Sequence, residues 1–211
     1  MELSAALLGI AVALTLGAMS PGPSFIMVAR TSVAVSRRDG LAAAVGMGVG
    51  GVFFSAIALL GLISLLSAVP LLHLALKVLG GTYLIYLGFR IWRGARHALV
   101  LENTPVQDRP THAWRSFALG LATQVSNPKT AVVYASIFAS LLPSTVPPFV
   151  LVALPIMIFA IETLWYSVVA LVLSAPAPRA HYLRSKAWLD RTAGAIMSLL
   201  GFKLIFEIQQ P

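Results

Sequence analysis

The chain has 211 residues, of which 58% are hydrophobic and only 10% are charged, whereas a soluble domain carries about 25% charged residues. So few charges cannot cover a water-soluble globule, and so much apolar content excludes disorder. The absence of Cys excludes disulfides and thiolate metal sites, and the net charge of +8 would favour nucleic acid only if the basic residues formed a patch.

Long uncharged segments predict six helices. Several exceed the roughly 20 apolar residues that a helix needs to cross a bilayer. Segments 40–76 and 130–161 are too long for one crossing and divide at turns near Pro70 and Pro143. The predicted helices are 3–30, 40–67, 71–93, 116–142, 148–174 and 188–208. We therefore expect an all-α integral membrane protein, a single transmembrane domain over 1–211 with six transmembrane helices.

The basic residues predict how these helices are oriented. Of the 15 Lys and Arg residues, 12 lie after helix 1, between helices 3 and 4, or between helices 5 and 6. They are Arg30, Arg37, Arg38, Arg90, Arg93, Arg96, Arg109, Arg115, Arg179, Arg184, Lys186 and Arg191. By the positive-inside rule these loops are cytoplasmic, 95–115 among them, so both termini are expected outside. The charge is thus a topology signal, and no nucleic-acid partner is expected.

Two sequence matches indicate an inverted repeat. Residues 81–91 in helix 3 align with 194–204 in helix 6, since both read Gly, six residues, Gly-Phe, a basic residue and an aliphatic residue. With a small insertion allowed, Ser20-Pro21 of helix 1 lies over Asn127-Pro128 of helix 4. A three-helix unit is odd, so its second copy is inserted upside down; ordinary glycine-rich helix packing is the alternative. The repeats are expected at about 1–94 and 116–211.

Prolines interrupt helices 1 and 4 near their middles, at corresponding places of the two repeats. Ser or Asn followed by Pro is an N-cap with Pro at the first helical position, so Ser20-Pro21 and Asn127-Pro128 can each begin a half-helix. The free N–H groups and positive dipole end at such a start suit a carboxylate. Transporters with inverted repeats bind substrate where helices are interrupted, although prolines that only kink membrane helices are common. The predicted substrate-binding residues are Ser20, Pro21, Gly22, Pro23, Ser24, Asn127, Pro128 and Lys129.

Two charged residues, Lys129 and Glu162, lie near the middles of predicted helices 4 and 5, where lipid makes a charge costly. One interpretation is a structural ion pair. In the other, Lys129 reinforces the carboxylate site, while Glu162 binds an ammonium group or carries a proton, as a carboxyl in an apolar site can. The residues leave both open. Trp165 and Tyr166, one turn from Glu162, either stack on a substrate ammonium group or serve as lining or lipid-facing packing.

The other polar residues add no chemistry of their own. The sequence has no Walker loop, His-Glu-x-x-His motif or nucleophile elbow, so we expect no catalytic residue, no metal site and no cofactor. Gly46 and Gly50 make a small-residue face in helix 2 that packs either within the chain or across a dimer. Six helices form a thin wall around a polar path, which favours a homodimer.

Three motifs carry a resemblance to a known family. They are Ser-Pro-Gly-Pro-Ser-Phe at 20–25, Ser-Arg-Arg-Asp-Gly-Leu at 36–41 before the glycine-rich helix 2, and Asn-Pro-Lys at 127–129. With these motifs the chain resembles the LysE/RhtB family of amino-acid exporters over nearly its whole length. The resemblance implies proton-driven export of amino acids across the bacterial inner membrane, with basic amino acids, threonine, homoserine and leucine as substrates of different members. Many members carry Asn or Asp where this chain has Ser24.

The expected function is secondary active efflux of amino acids or close derivatives, by antiport with alternating access. The expected partners are the amino acid, protons and the lipid bilayer. A cation or metal exporter is one alternative, although Glu162 is the one anionic ligand expected at mid-depth. A membrane assembly subunit without transport is another, and it would tolerate loss of the mid-membrane charges. A membrane enzyme would need a nucleophile or acid–base pair, and none has a partner at useful spacing.

Overall fold

The computed structural model describes residues 3–68, 70–97, 112–143 and 146–206, and for 62–68, 70–74, 76 and 77 it describes the helix without the side chains. The described residues form eight α-helices and no strand. The helices are α1 Leu3–Met19, α2 Pro23–Ala34, α3 Arg37–Ala68, α4 Pro70–Gly94, α5 Ala113–Val125, α6 Pro128–Leu141, α7 Val150–Leu173 and α8 Pro176–Phe206. Four of them begin at proline, because Pro has no N–H to leave unpaired and its φ suits the first helical position.

The outer surface of the bundle is apolar. Leu79, Ile156 and Leu164 are each more than 60% exposed, which is expected of side chains that face lipid. Within the described residues, Arg37–Gly61 of α3 and Val150–Leu173 are long and apolar enough to cross a membrane, and α1 with α2, bent by 57°, makes a third span if the pair is one crossing. The fold is therefore that of an all-α, multi-pass membrane protein.

The helix breaks lie in the segments where the sequence predicts them, but one start is different. Helix 1 divides into α1 and α2, and helix 4 into α5 and α6. Asn127 is the N-cap of α6, as predicted. The prediction that Ser20 caps a helix beginning at Pro21 is wrong, since α2 begins at Pro23 with Gly22 as its N-cap.

The last helix begins earlier than the sequence predicts. Instead of 188–208, α8 spans Pro176–Phe206 as one helix, so three basic residues assigned to a loop lie within it. They are Arg179, Arg184 and Lys186. The prolines at 176 and 178 suggest a loop, yet first-turn residues have no intrahelical N–H bond to lose, so both fit the start of a helix. Tyr182 then stacks on Phe25 of α2, with ring centroids 5.8 Å apart.

Two apolar clusters surround the helix breaks. One contains Ile10 of α1, Phe138 of α6 and Ile158 of α7, and the other contains Phe25 of α2 and Val169 of α7. The α7 helix runs through both clusters. The side chains between them, at the level of the breaks, are therefore held in a protein interior away from lipid.

Glycines let helix backbones touch. A Cβ on Gly46 would collide with the carbonyl oxygen of Phe117 in α5, and one on Gly50 would lie 2.6 Å from Gln124 Cβ. The predicted glycine face of helix 2 therefore packs within the chain. It holds α3 against α5, the helix that leads to the second break.

The α4 and α8 helices also meet through glycines. Gly81 faces the Gly201 backbone, and Gly88 faces the Gly194 backbone, so the two helices run antiparallel. These are the glycines that the repeat alignment matches, 81 with 194 and 88 with 201. If each glycine is replaced by its match in the other repeat, the contact of Gly81 with Gly201 becomes the contact of Gly194 with Gly88. A two-fold relation between the repeats requires this. The division into two inverted repeats stays a prediction that this contact supports.

Parts of three predictions fall outside the described residues. Most of the predicted cytoplasmic loop 95–115 does, since 98–111 are not described. The same holds for both chain ends, at residues 1–2 and 207–211.

Candidate functional site at two helix breaks

The starts of α2 and α6 lie side by side. The Ser24 hydroxyl donates to Gln124 Oε1 at 2.7 Å and accepts from Asn127 Nδ2 at 3.0 Å. All three side chains are buried. The structure therefore brings the two predicted halves of the site into direct contact, although they are about 100 residues apart in sequence.

The N-termini of these two helices point into the same region. In α6, Asn127 Oδ1 accepts from the backbone N–H of Lys129 at 3.0 Å. In α2, Gly22 has extended backbone angles and no side-chain cap. The first turn of each helix offers N–H groups without intrahelical partners, together with the positive end of its dipole. This arrangement suits an anionic group.

Lys129 and Trp165 hold the C-terminal end of α1. Lys129 Nζ donates to the carbonyl oxygens of Gly17, at 3.2 Å, and Ser20, at 3.1 Å. Trp165 Nε1 donates to the carbonyl oxygen of Ala18 at 3.0 Å. The last carbonyls of a helix have no partner within the helix and carry its negative dipole end. Two side chains from distant helices supply the missing donors.

Glu162 is buried beside these groups. Its Oε1 accepts from the Tyr134 hydroxyl at 2.9 Å. Its Oε2 is buried and has no hydrogen-bond partner among the described residues. No ion pair joins it to Lys129 among the described contacts, so the structural pair that the sequence left open is not formed here. A buried oxygen without a donor is costly.

Two cavities meet at the breaks. The first, which we call the inner cavity, has about 30 Å³, room for one or two water molecules. Besides Gly22, Ser24 and Lys129, its wall includes Glu162 and Tyr166. It is too small for an amino acid in this structure.

The second cavity, which we call the cleft, has about 600 Å³, within the range of about 300–1,000 Å³ typical of small-molecule sites. It runs from the helix breaks to Gly94, His97 and Lys186. The residues that line both cavities are Ser20, Gly22, Asn127 and Lys129. These four therefore form the partition between the cleft and the inner cavity.

The predicted site residues divide between these spaces. The prolines at 21, 23 and 128 line the cleft. Ser24 and Tyr166 line the inner cavity. Trp165 lines neither described cavity and instead packs at the end of α1. That these residues bind substrate stays a prediction.

Several residues near the helix breaks and the cleft are not marked by any pattern in the sequence. Gln124 and Tyr134 are uncharged polar residues within helices, which are common in any membrane protein. Lys186 and Asp190 pair at 2.7 Å on the cleft wall, both buried. Their i,i+4 spacing predicts such a pair, but the sequence reading placed Lys186 in a loop.

Metal ligands do not gather in the described part of the chain. It holds no group of three or more His, Cys, Asp or Glu side chains that could bind a metal ion. No observation there favours the metal-exporter alternative.

The comparison with known families agrees with the positions of these motifs. The family model for the LysE type translocator matches residues 15–208. The chain belongs to this family. The LysE type match includes both helix breaks, Glu162 and the cleft walls.

Curated relatives of the LysE type translocator match along most of their length. The threonine efflux protein of Escherichia coli K12 is 32% identical over 189 residues, which cover 90% of this chain and 92% of the relative. The threonine efflux protein of Salmonella typhi is 33% identical over 193 residues, with the same coverage of both chains. The leucine efflux protein of Salmonella choleraesuis SC-B67 is 25% identical over 180 residues, covering 85% of this chain and 83% of the relative. No solved structure gives a significant match.

Proposed function

We propose that this protein exports amino acids, or close derivatives, from the bacterial cytoplasm across the inner membrane. The observation that carries the proposal is a cleft of small-molecule size that ends at two helix N-termini and Lys129. Relatives that act in threonine and leucine efflux support it. Threonine and leucine are therefore the first substrates to test.

The groups at the end of the cleft, beside the helix breaks, complement both charges of a zwitterion. The N–H groups that begin α2 and α6 suit the carboxylate, and Ser20, Gly22, Asn127 and Lys129 surround the place where it would rest. The backbone carbonyls at the end of α1 provide negative partial charge close by. Both charges of an amino acid thus find a complement within one small region.

The cleft has the form of a state that faces the cytoplasm. It extends to Gly94 and His97 at the C-terminal end of α4 and to Lys186 in the N-terminal half of α8, and the positive-inside rule assigns the side that carries these basic residues to the cytoplasm. Both termini are then periplasmic. Export by alternating access requires a second state, in which the partition at the breaks opens toward the other side. We also infer a homodimer, because six membrane crossings form only a thin wall around a polar path.

Glu162 is our candidate for coupling to protons. It lies directly behind the partition, bonded to Tyr134, with one oxygen that has no described donor. A carboxyl in this place can take a proton in one state and lose it in the other. Proton entry would then drive amino-acid exit, which is antiport.

The decisive measurement is export from intact cells. Cells loaded with dipeptides release free amino acids internally, and their appearance outside is followed with and without the protein. Threonine or leucine should leave faster when the protein is present. If no amino acid and no close derivative leaves faster, the proposed function is wrong.

Replacement of Glu162 separates coupling from folding. Glu162→Gln keeps the size and the hydrogen bond to Tyr134 but cannot exchange a proton, so export should stop responding to the pH gradient while the protein still inserts. Glu162→Asp, which keeps a carboxyl group, is the matched control and should retain part of the response. An unchanged response in Glu162→Gln would remove this residue from coupling, and full activity would favour a structural role for the mid-membrane charges.

A further inference from the structure

The carbonyl oxygens at the end of α1 form a binding place for an ammonium group. Gly17 O and Ser20 O both accept from Lys129 Nζ, at 3.2 and 3.1 Å. Carbonyls at the C-terminal end of a helix attract cations through the helix dipole, and interrupted helices of transporters coordinate cations with such carbonyls. In this structure the cation that occupies them belongs to the protein.

Lys129 carries the same chemical group as a substrate. Its –NH3⁺ has three N–H donors, as does the α-ammonium of an amino acid. Ser20 and Lys129 line the cleft, and Gly17 lines the inner cavity beside them, so a molecule that reaches the end of the cleft at Ser20 lies next to the oxygens that Lys129 holds. Lys129 is therefore a tethered occupant of a place that a free ammonium group also fits.

We propose that the α-ammonium of the exported amino acid displaces Lys129 from the carbonyl oxygens of Gly17 and Ser20, and that the released Lys129 pairs with the carboxylate of the same molecule. This proposal rests on the proposed function and specifies how its site recognises the backbone of an amino acid. The exchange leaves neither Lys129 nor the substrate ammonium without a partner. Before it, the carbonyl oxygens accept from Lys129; after it, they accept from the substrate ammonium, and Lys129 pairs with the substrate carboxylate.

The surroundings of Lys129 permit this movement. A Cβ on Gly22 would lie 3.5 Å from both Cδ and Nζ of Lys129, so the absence of a side chain there leaves space beside the lysine tip. The Lys stem is flexible and its charge is compact. The N-termini of α2 and α6, which suit a carboxylate, lie next to the same space.

The exchange makes a specific requirement on ligands. An amino acid amide has the ammonium group but no carboxylate, so it would leave Lys129 unpaired in a half-buried place. A 2-hydroxy acid has the carboxylate but cannot replace Lys129 on the carbonyls. Only the zwitterion should bind the wild-type protein well.

The test measures binding of threonine and leucine, their amides and their 2-hydroxy acids to purified protein. A protein whose Trp92, Trp114 and Trp188 are replaced by Phe reports through Trp165, which bonds to Ala18 beside the proposed place. In Lys129→Met the carbonyls lose their tethered cation. The amides should then bind on the order of tenfold tighter than to the Lys129 protein, and the zwitterions weaker by a similar factor.

Lys129→Arg is the matched control, since it keeps the charge and should keep the preference for zwitterions. Lys129→Gln keeps a donor without charge and serves if Lys129→Met does not fold; it should shift toward the amides in the same direction. Amides that bind neither neutral variant more tightly than wild type would overturn the proposal. If wild type exports threonine or leucine, that failure concerns the proposal alone, whereas a wild type that exports no amino acid overturns both.

Discussion

The two helix breaks are alike in position and proline content but differ in how their backbone is satisfied. At the second break, between α5 and α6, residues of the break itself bond to the backbone. The Ser126 hydroxyl donates to Ala122 O at 2.6 Å, and Asn127 caps α6 with its own side chain. At the first break, between α1 and α2, Gly22 offers no side-chain cap, and the carbonyls of α1 depend on Lys129 and Trp165. One break is closed by its own residues, and the other is held by distant helices.

This difference indicates which break can change. A locally capped turn keeps its hydrogen bonds when neighbouring helices shift. The first break must exchange its partners if α6 or α7 moves, because Lys129 and Trp165 belong to those helices. We therefore expect the first break to rearrange during transport while the second stays intact.

Removal of Lys129 should have the largest effect on stability. In Lys129→Met two buried carbonyl oxygens lose a charged donor, so the free energy of unfolding should fall by about 2–3 kcal/mol. Titration with SDS in mixed micelles measures this change. Lys129→Arg keeps the charge and should lose less than half as much. If the Met variant is as stable as wild type, the first break does not depend on distant helices.

Removal of the Asn127 cap should have a smaller effect. Asn127→Ala removes the acceptor for Lys129 N and the donor to Ser24, and should cost about 1–2 kcal/mol in the same titration. Asn127→Asp keeps the capping oxygen and loses only the donor. Equal losses in the two variants would show that the bridge to Ser24, and not the cap, holds this break.

Addition of a cap at the first break should have the smallest effect and the opposite sign. Gly22→Ser places a hydroxyl at the N-cap of α2 and makes the first break resemble the second. Its Cβ would meet Lys129 at ordinary contact distance, so the variant should gain about 0.5 kcal/mol in free energy of unfolding. Gly22→Ala, which adds the Cβ alone, should not be stabilised. If Gly22→Ser has a lower free energy of unfolding than Gly22→Ala, a local cap does not stabilise α2.

The features that the sequence predicts correctly depend on neighbouring residues. Uncharged stretches mark the apolar helices, and Asn127-Pro128 marks the start of α6, because capping involves residues two or three positions apart. The start of α2 was predicted wrongly because the segment Pro21-Gly22-Pro23 contains two prolines that could each begin a helix. The beginning of α8 was missed because Arg179, Arg184 and Lys186 were assigned to a loop, whereas they lie within the helix.

The contacts that no sequence pattern predicts are long-range. Lys129 lies 112 residues from Gly17, and Trp165 lies 147 residues from Ala18. The cost of a charge at mid-membrane predicts that Lys129 has a partner, but not that the partner is a backbone carbonyl. Gly46 and Gly50 let α5 approach α3 closely, and Gly50 faces Gln124 itself, the residue that accepts from Ser24 of α2.

The glycine contacts between α4 and α8 have a consequence for motion. Tyr83 and Arg90 on α4 and Lys186 and Asp190 on α8 all line the cleft. Backbone meets backbone at Gly81 with Gly201 and at Gly88 with Gly194, so these helices cannot slide past each other without collision. The part of the cleft wall that α4 and α8 form should therefore stay fixed during transport, while the broken helices move relative to it.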